Sequence, residues 1–198
     1  MSATVLYMSM SLDGFIAGPN ERLDNGLGDG GHRLHEWVLP SAGAGHKAIT
    51  RHVAGSNRRV VDEFMSTGAV VAGRGTFEPA GGWGGDHHDG VPIFILTRTP
   101  DGDHRQWPLV TYVSDVRTAM ADAKRVAGDK DVLVHGAGVA QFALAAGVLD
   151  EIEIHLIPVL LGQSRRLFDN LAPEHIELDR VRVLEGPGVT HLRHRVRH

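Results

Sequence analysis

Val132-Leu133-Val134-His135-Gly136-Ala137-Gly138-Val139-Ala140 is the stretch on which the reading of this chain turns. An apolar run that passes through small residues describes a buried strand emptying by a tight turn into a helix. Such a turn leaves backbone N–H groups bare at the positive end of the helix dipole, where a diphosphate can approach closely. It is not the dinucleotide fingerprint G-x-G-x-x-G. Gln141 stands at the third glycine, and no acidic residue ends a following strand at the usual distance. Taken alone, the turn is read equally well as a tight strand-to-helix connection with no ligand.

The same arrangement recurs to either side. Ala69-Val70-Val71-Ala72 is a compact apolar strand that ends at Gly73 and continues as Arg74-Gly75-Thr76. Pro92-Ile93-Phe94-Ile95-Leu96 is another, followed by Thr97-Arg98-Thr99. A guanidinium offers a planar fork to phosphate, so an arginine at a strand end is a candidate nucleotide ligand. Each arginine singly reads as a solvated surface residue. Three strand ends together define a crevice, because in an open α/β sheet the carboxyl ends of the strands line one binding edge.

The remaining elements fit that frame. Thr4 to Met10 is an apolar strand running into the turn-rich Ser11-Leu12-Asp13-Gly14, and residues 24 to 45 form a glycine-rich loop with a short helix near Leu34 to Leu39. The spacing of Val60, Val61, Phe64 and Met65 predicts a helix over Arg59 to Met65. A strand over Leu109 to Val113 leads to a helix capped by Ser114-Asp115 and running to about Ala127. Asp131 to His135 is the next strand, and Gly138 to Leu149 a short helix. Glu151 to Leu161 is a strand that Pro158 bends or ends. Glu177 to Leu184 and Thr190 to Val196 make a hairpin across Glu185-Gly186-Pro187-Gly188. The sum is an α/β sheet, parallel in the middle with an antiparallel C-terminal hairpin, read as one domain over 1–198.

Composition narrows the chemistry. Apolar residues make up 42% of the 198 and charged residues 22%, which is ordinary for a globular domain. The absence of cysteine removes thiolate nucleophiles, disulfides and Cys-based zinc sites. A net charge of −4 provides no global field for nucleic acid or an anionic membrane. No run approaches a membrane span, and Asp13 interrupts the N-terminal apolar segment too early for a signal peptide, so the chain is read as cytoplasmic.

Two further features border the crevice. Asp13-Gly14 brings a carboxylate to the end of the first strand, as a site residue or as an Asx turn. Trp83, within Gly81-Gly82-Trp83-Gly84-Gly85, walls a planar substrate or anchors its loop. The 13 histidines include Asp86-His87-His88-Asp89 and His32-Arg33-Leu34-His35-Glu36, donor sets that zinc or non-haem iron accepts. Adjacent His87 and His88 point different ways in most backbones, and the flanking glycines indicate a solvated loop, so no metal site is assigned. No G-x-S-x-G elbow supports a serine hydrolase.

Ser11-Leu12-Asp13-Gly14-Phe15-Ile16-Ala17, Gly73-Arg74-Gly75-Thr76-Phe77-Glu78, Gly82-Trp83-Gly84-Gly85 before Pro92 to Thr97, and His135-Gly136-Ala137-Gly138 together form a recognisable pattern. In order and spacing they resemble the C-terminal reductase domain of the bifunctional riboflavin-biosynthesis deaminase/reductase, itself similar to dihydrofolate reductase. The resemblance spans nearly the whole chain. It implies a dihydrofolate-reductase-like three-layer sandwich that binds NADPH across the strand ends, within a homodimer. Gly73, Arg74, Thr76, Thr97 and Arg98 match its adenosine and 2′-phosphate side; Ala17, Gly136, Ala137, Gly138 and Val139 match the rest of the cofactor site. Asp13, Gly14, Glu36 and Trp83 would border the substrate, with Asp13 and Trp83 nearest the chemistry. The implied acceptor is a small molecule, the 5-amino-6-(5-phosphoribosylamino)uracil of riboflavin synthesis or a pterin-like compound. The deaminase half has no counterpart, since H-x-E and P-C-x-x-C are absent. Two other readings stand beside the reductase: a nucleotide-binding protein of this fold without turnover, and a histidine-ligated metal enzyme.

Overall fold

The structure, a computed structural model, describes residues 2–39, 53–102, 104 and 106–198. Residues 40–45 of the expected loop therefore lie outside the described residues. Eight strands form one sheet: β1 (Thr4–Ser11), β2 (Ala69–Gly73), β3 (Ile93–Leu96), β4 (Val110–Val113), β5 (Val132–His135), β6 (Glu151–Ile157), β7 (Leu178–Gly186) and β8 (Val189–Val196). Their spatial order is β4-β3-β2-β5-β1-β6-β8-β7. β1 to β6 run parallel, and β8 returns antiparallel between β6 and β7.

Helices α1 (Gly55–Met65), α2 (Arg74–Phe77), α3 (Val116–Ala127) and α4 (Ala137–Ala145) complete the fold. Alternation along the strands sends side chains to two separate cores. On one face Met8, Val71 and Val134 meet Ala119, Met120 and Ala123 of α3 and Ala140 and Ala143 of α4. The alanines let both helices lie close on the sheet. On the other face Tyr7, Val70 and Leu133 meet Val60, Val61 and Phe64 of α1, with Leu34 and Trp37 from the loop. Fully burying each large apolar side chain contributes about 1.5–3 kcal/mol before entropy is counted. The result is the three-layer α/β sandwich expected.

Several boundaries move for local reasons. α1 starts at Gly55, four residues earlier than its apolar spacing indicates, because its first turn carries polar residues; of these Asn57 is buried. Leu34 to Leu39 is not a helix; a 3₁₀ turn over Gly31–Leu34 takes its place. β6 stops at Ile157, where Pro158 removes the ladder donor. Asp115 caps α3 by accepting from the Thr118 N–H at 2.7 Å, as its position implies.

Candidate functional site

Two of the three strand ends that the sequence singles out meet at one cavity, and the end of β3 does not join them. Gly73, Gly75 and Thr76 of the β2–α2 turn and Gly136, Ala137, Gly138 and Val139 of the β5–α4 turn line one cavity of about 380 Å³. Gly136 has φ 98°, a conformation that side chains disfavour. Gly138 is exposed, so the first turn of α4 faces the cavity without side-chain cover. Backbone donors and the helix dipole make this wall suited to an anion.

The rest of the lining comes mainly from a segment after β6 that the sequence reading does not single out. Arg165, Arg166, Asp169 and Asn170, together with Gln141 of α4, complete the lining. The 165–167 segment lies against residues 14–16: Ile16 N–H donates to Arg165 O at 3.0 Å, and Leu167 N–H to Gly14 O at 3.0 Å. Arg165 Nη1 donates to Gly75 O at 3.0 Å and Nη2 pairs with Glu21 Oε2 at 2.9 Å. Arg166 Nη1 donates to Asp13 O at 3.1 Å, and its guanidinium lies 4.6 Å from the Phe15 ring centroid. Two arginines thus share the cavity lining with a helix N-terminus. The signal available beforehand was the adjacent basic pair after the Leu161-Gly162 turn.

Asp13 is at the end of β1, where the sequence puts it. Its carboxylate accepts from Ser11 Oγ at 2.6 Å, from Leu161 N–H at 3.1 Å and from Gly162 N–H at 2.7 Å. The Ser11 hydroxyl above all, with these backbone donors, lowers its pKa to about 2. A carboxyl so held is ionised at neutral pH, and it ties the arginine segment to β1. Gly14 lies 3.5 Å, measured from a Cβ built on it, from Arg166 Nη1. Ala17 is buried beside the same segment, whose Ser164 Oγ donates to Gly18 O at 2.7 Å.

The outer nucleotide residues are dispersed. Arg74 is exposed on α2, with Nε 2.6 Å from Glu78 Oε1. Thr97 is buried and its hydroxyl accepts from Thr99 N–H at 3.3 Å, while Arg98 is exposed. Neither Thr97 nor Arg98 is among the cavity-lining residues. Glu36 is exposed and pairs with Arg33 at 3.4 Å, apart from both cavity linings.

A second cavity, about 70 Å³, lies on the α1 face. Tyr7 and Ser9 of β1, Leu133 and His135 of β5, His155 of β6, and His35, Trp37 and His87 line it with Phe64 and the Val38-Leu39 pair. His135 faces this inner cavity and the next residue, Gly136, faces the outer one, so the end of β5 separates the two. Burial lowers the His35 pKa to about 4 and raises that of Tyr7 to about 12. The inner cavity is therefore aromatic, with both groups neutral near pH 7. Trp83 (φ 50°) packs edge-on against Phe77 at 5.3 Å and His87 at 4.6 Å, behind this lining.

The solvated loop expected at Asp86–Asp89 is not found. His87 and His88 are 3% and 4% exposed, their Nδ1 atoms are 2.7 Å apart, and His88 Nε2 lies 3.2 Å from Thr67 Oγ1. The left-handed run at Gly82, Trp83 and Gly84 turns the segment inward, and the indole covers it. His32, His35 and Glu36 likewise do not assemble into a ligand set among the described residues.

A family model described as the RibD C-terminal domain matches residues 3–191. The "Uncharacterized protein YwjB" of Bacillus subtilis (strain 168) is 26% identical over 182 residues, covering 86% of this chain and 85% of that protein. The structure of a putative riboflavin biosynthesis protein from Shewanella sp. PV-4 superposes with a TM-score of 0.71 at 20% identity, covering 99% of both chains. Dihydrofolate reductase from Enterococcus faecalis, complexed with NADP(H), superposes with a TM-score of 0.59 at 14% identity, covering 99% of this chain and 97% of that one. The sandwich is thus the dihydrofolate-reductase-like fold. No helix among the described residues is long and apolar enough to cross a membrane.

Proposed function

The chain belongs to the RibD C-terminal domain family, and from that premise we propose that it is an NADPH-dependent reductase acting on a small planar acceptor. The observation that carries the reading is the end of β5, where Gly136 faces an anion-suited cavity and His135 an aromatic one. The residues present fit the cofactor. The close turn at Gly136, the open first turn of α4 and the paired Arg165 and Arg166 suit a diphosphate. Thr76 in the cavity lining, with Arg74, Thr97 and Arg98 outside it, would meet the 2′-phosphate and adenosine. NADPH, when bound, supplies a hydride from its nicotinamide.

The chain's own share is alignment and exclusion of water. Asp13 is a positioning residue in this reading: it holds the arginine segment to β1, and Gly14 gives that segment room. Trp83 backs His87 and His135 and keeps the inner wall rigid. Ser9 Oγ accepts from Trp37 Nε1 at 3.0 Å, which fixes the indole beside the acceptor space. The acceptor classes in this reading are a pterin-like ring or the pyrimidine of 5-amino-6-(5-phosphoribosylamino)uracil, approached by the aromatic lining of the inner cavity. The protein would act as a single-domain cytoplasmic homodimer. The edge strand β7, with Leu178, Val181 and Val183 exposed, supports a contact between copies.

Titration of purified protein with NADPH and NADH, followed by nicotinamide fluorescence, tests the cofactor. Tight NADPH binding and weaker NADH binding are expected, and binding of neither would overturn the reading. Oxidation of NADPH in the presence of the phosphoribosylamino pyrimidine or dihydrofolate then tests the acceptor, and sedimentation velocity the dimer.

A further inference from the structure

Beneath α1 lies a row of buried polar side chains that the reductase reading does not use. β6 and β8 pair so that His155 stands opposite His191 and Glu153 opposite Arg193. With a side-chain period of two, Glu153 and His155 share a face with their partners. Glu153, His155 and His191 are 0%, 4% and 0% exposed, and each has a ligand-capable atom within 4.8 Å of the others'.

We propose that Glu153, His155 and His191 bind one divalent transition-metal ion, zinc in the first instance. The donor set of two imidazole nitrogens and one carboxylate oxygen is one that zinc and ferrous iron accept. In a tetrahedral zinc site ligand atoms about 2.0–2.2 Å from the metal lie about 3.4 Å from one another. From the 4.8 Å limit the widest pair has to close by at most about 1.4 Å, and the imidazole pair at 3.0 Å to open by about 0.4 Å, to reach that geometry.

The hydrogen bonds favour a cation at the centre of the three. His191 Nε2 lies 3.1 Å from Asn57 Oδ1, an acceptor, so Nε2 carries the proton and Nδ1 the lone pair. That lone pair faces His155 Nδ1 at 3.0 Å. The Asn57 amide is fixed over the β7 backbone, where a Cβ on Gly186 would fall 1.7 Å from Oδ1. This is the outer-shell carbonyl that orients a ligating imidazole in established metal sites. Glu153 supplies the second sign. Its Oε1 is fully buried with no hydrogen-bond partner, while Oε2 lies 3.3 Å from Arg182 Nη2. A buried carboxylate oxygen without a donor is costly, and a cation satisfies it.

An ion-pair network flanks the row. Glu63, Glu151 and Glu153 face Arg182 and Arg193, with Tyr7 hydroxyl 3.2 Å from Arg193 Nη1 and Asp131 at 3.8 Å from Nη2. Arg59 at 3.2 Å from Glu63 and Arg195 at 3.6 Å from Glu151 complete this network, so the carboxylates other than Glu153 are met by guanidiniums, and Glu153 Oε1 is the oxygen left for a cation. Trp37 packs on both imidazoles, with ring centroids at 4.6 Å and 4.9 Å. Because His155 also lines the inner cavity, the ion would border the acceptor space and brace its aromatic wall.

The test is direct metal binding, independent of turnover. Full-length protein made without an affinity tag is stripped by a chelator, then titrated with Co²⁺ while visible absorption is followed. One Co²⁺ per chain, displaced by Zn²⁺, is expected. Glu153→Gln and His155→Gln should each weaken binding by about 100-fold, and Asn57→Ala by about tenfold, since outer-shell partners are worth 10–100-fold. His175→Gln, at an exposed histidine, should leave it unchanged. No saturable Co²⁺ band in the wild-type chain, or equal binding by the Glu153 and His155 variants, would overturn the proposal. The row would then be a neutral histidine pair beside an ion-pair network. If a variant fails to fold, the wild-type stoichiometry and the His175 and Asn57 variants still decide.

Discussion

A Cβ placed on Gly136 would stand 2.2 Å from Thr76 Oγ1 and 3.3 Å from Thr76 Cβ. The β2–α2 and β5–α4 turns therefore meet at van der Waals distance, and the outer cavity owes its closeness to backbone to that one missing side chain. Gly136→Ala faces both the contact and a φ of 98°, each disfavoured on its own. A loss of about 1–3 kcal/mol of stability is expected, with weaker NADPH binding. Thermal unfolding of Gly136→Ala with and without Thr76→Ala checks the cause: the double variant should recover part of the loss, leaving the backbone strain.

In the proposed cofactor reading Arg165 and Arg166 meet the diphosphate, which NADPH and NADH share, and Arg74 and Arg98 the 2′-phosphate, which distinguishes them. Replacing Arg165 or Arg166 by Ala should weaken NADPH and NADH alike, each by about 1.5–3 kcal/mol. Replacing Arg74 and Arg98 together should weaken NADPH more than NADH, by roughly 2–5 kcal/mol. Paired fluorescence titrations separate the two. Equal loss of both cofactors in the Arg74/Arg98 variant would contradict the 2′-phosphate assignment.

Asp13 should behave as an anchor rather than a proton donor. Its carboxyl titrates at about 2 in the folded chain, against about 3.9 for an unfolded aspartate. The stabilisation is thus complete above about pH 4 and lost as pH falls towards 2. Asp13→Asn should lower the melting temperature at pH 7, flatten that acid limb and raise the KM for cofactor more than it lowers kcat. A kcat profile that lost an ionisation near neutral pH would instead mark Asp13 as a catalytic group.

His35 gives stability a second pH dependence in a different window. Burial holds its folded pKa at about 4, while the unfolded value is about 6.5. Between these values the unfolded chain binds the extra proton, so stability falls as pH drops from about 6.5 to about 4. His35→Gln should reduce that slope and leave stability at pH 7.5 little changed. Melting temperatures across pH 4.5–7.5 for both proteins give the comparison.

The parallel strands were legible because short apolar runs such as Ala69–Ala72 and Val132–Val134 cannot face water, and glycines mark where they end. The β5–α4 turn was legible for the same reason. The arginine wall was not: Arg166 meets Asp13 across 153 positions of chain, and nothing local in Ser164-Arg165-Arg166 distinguishes a site from a solvated loop. The polar row on β6 and β8 was not singled out in the sequence. Alternating Glu153, His155, His191 and Arg193 reads as the wet face of an outer strand, and only α1 with Trp37 makes it interior. At His87 and His88 flanking glycine suggested exposure, where a left-handed turn at Trp83 instead folds the segment in.

β1 is first in the chain yet central in the sheet, and both its neighbours are strands that begin at Val132 or later. A growing polypeptide therefore carries a buried, largely apolar strand with two unsatisfied edges until β5 and β6 have been made. Chaperones that hold nascent chains, and neighbouring chains prone to cross-pairing, would compete for it during that interval. Fragments that stop short of β5 are expected to be aggregation-prone rather than partly active.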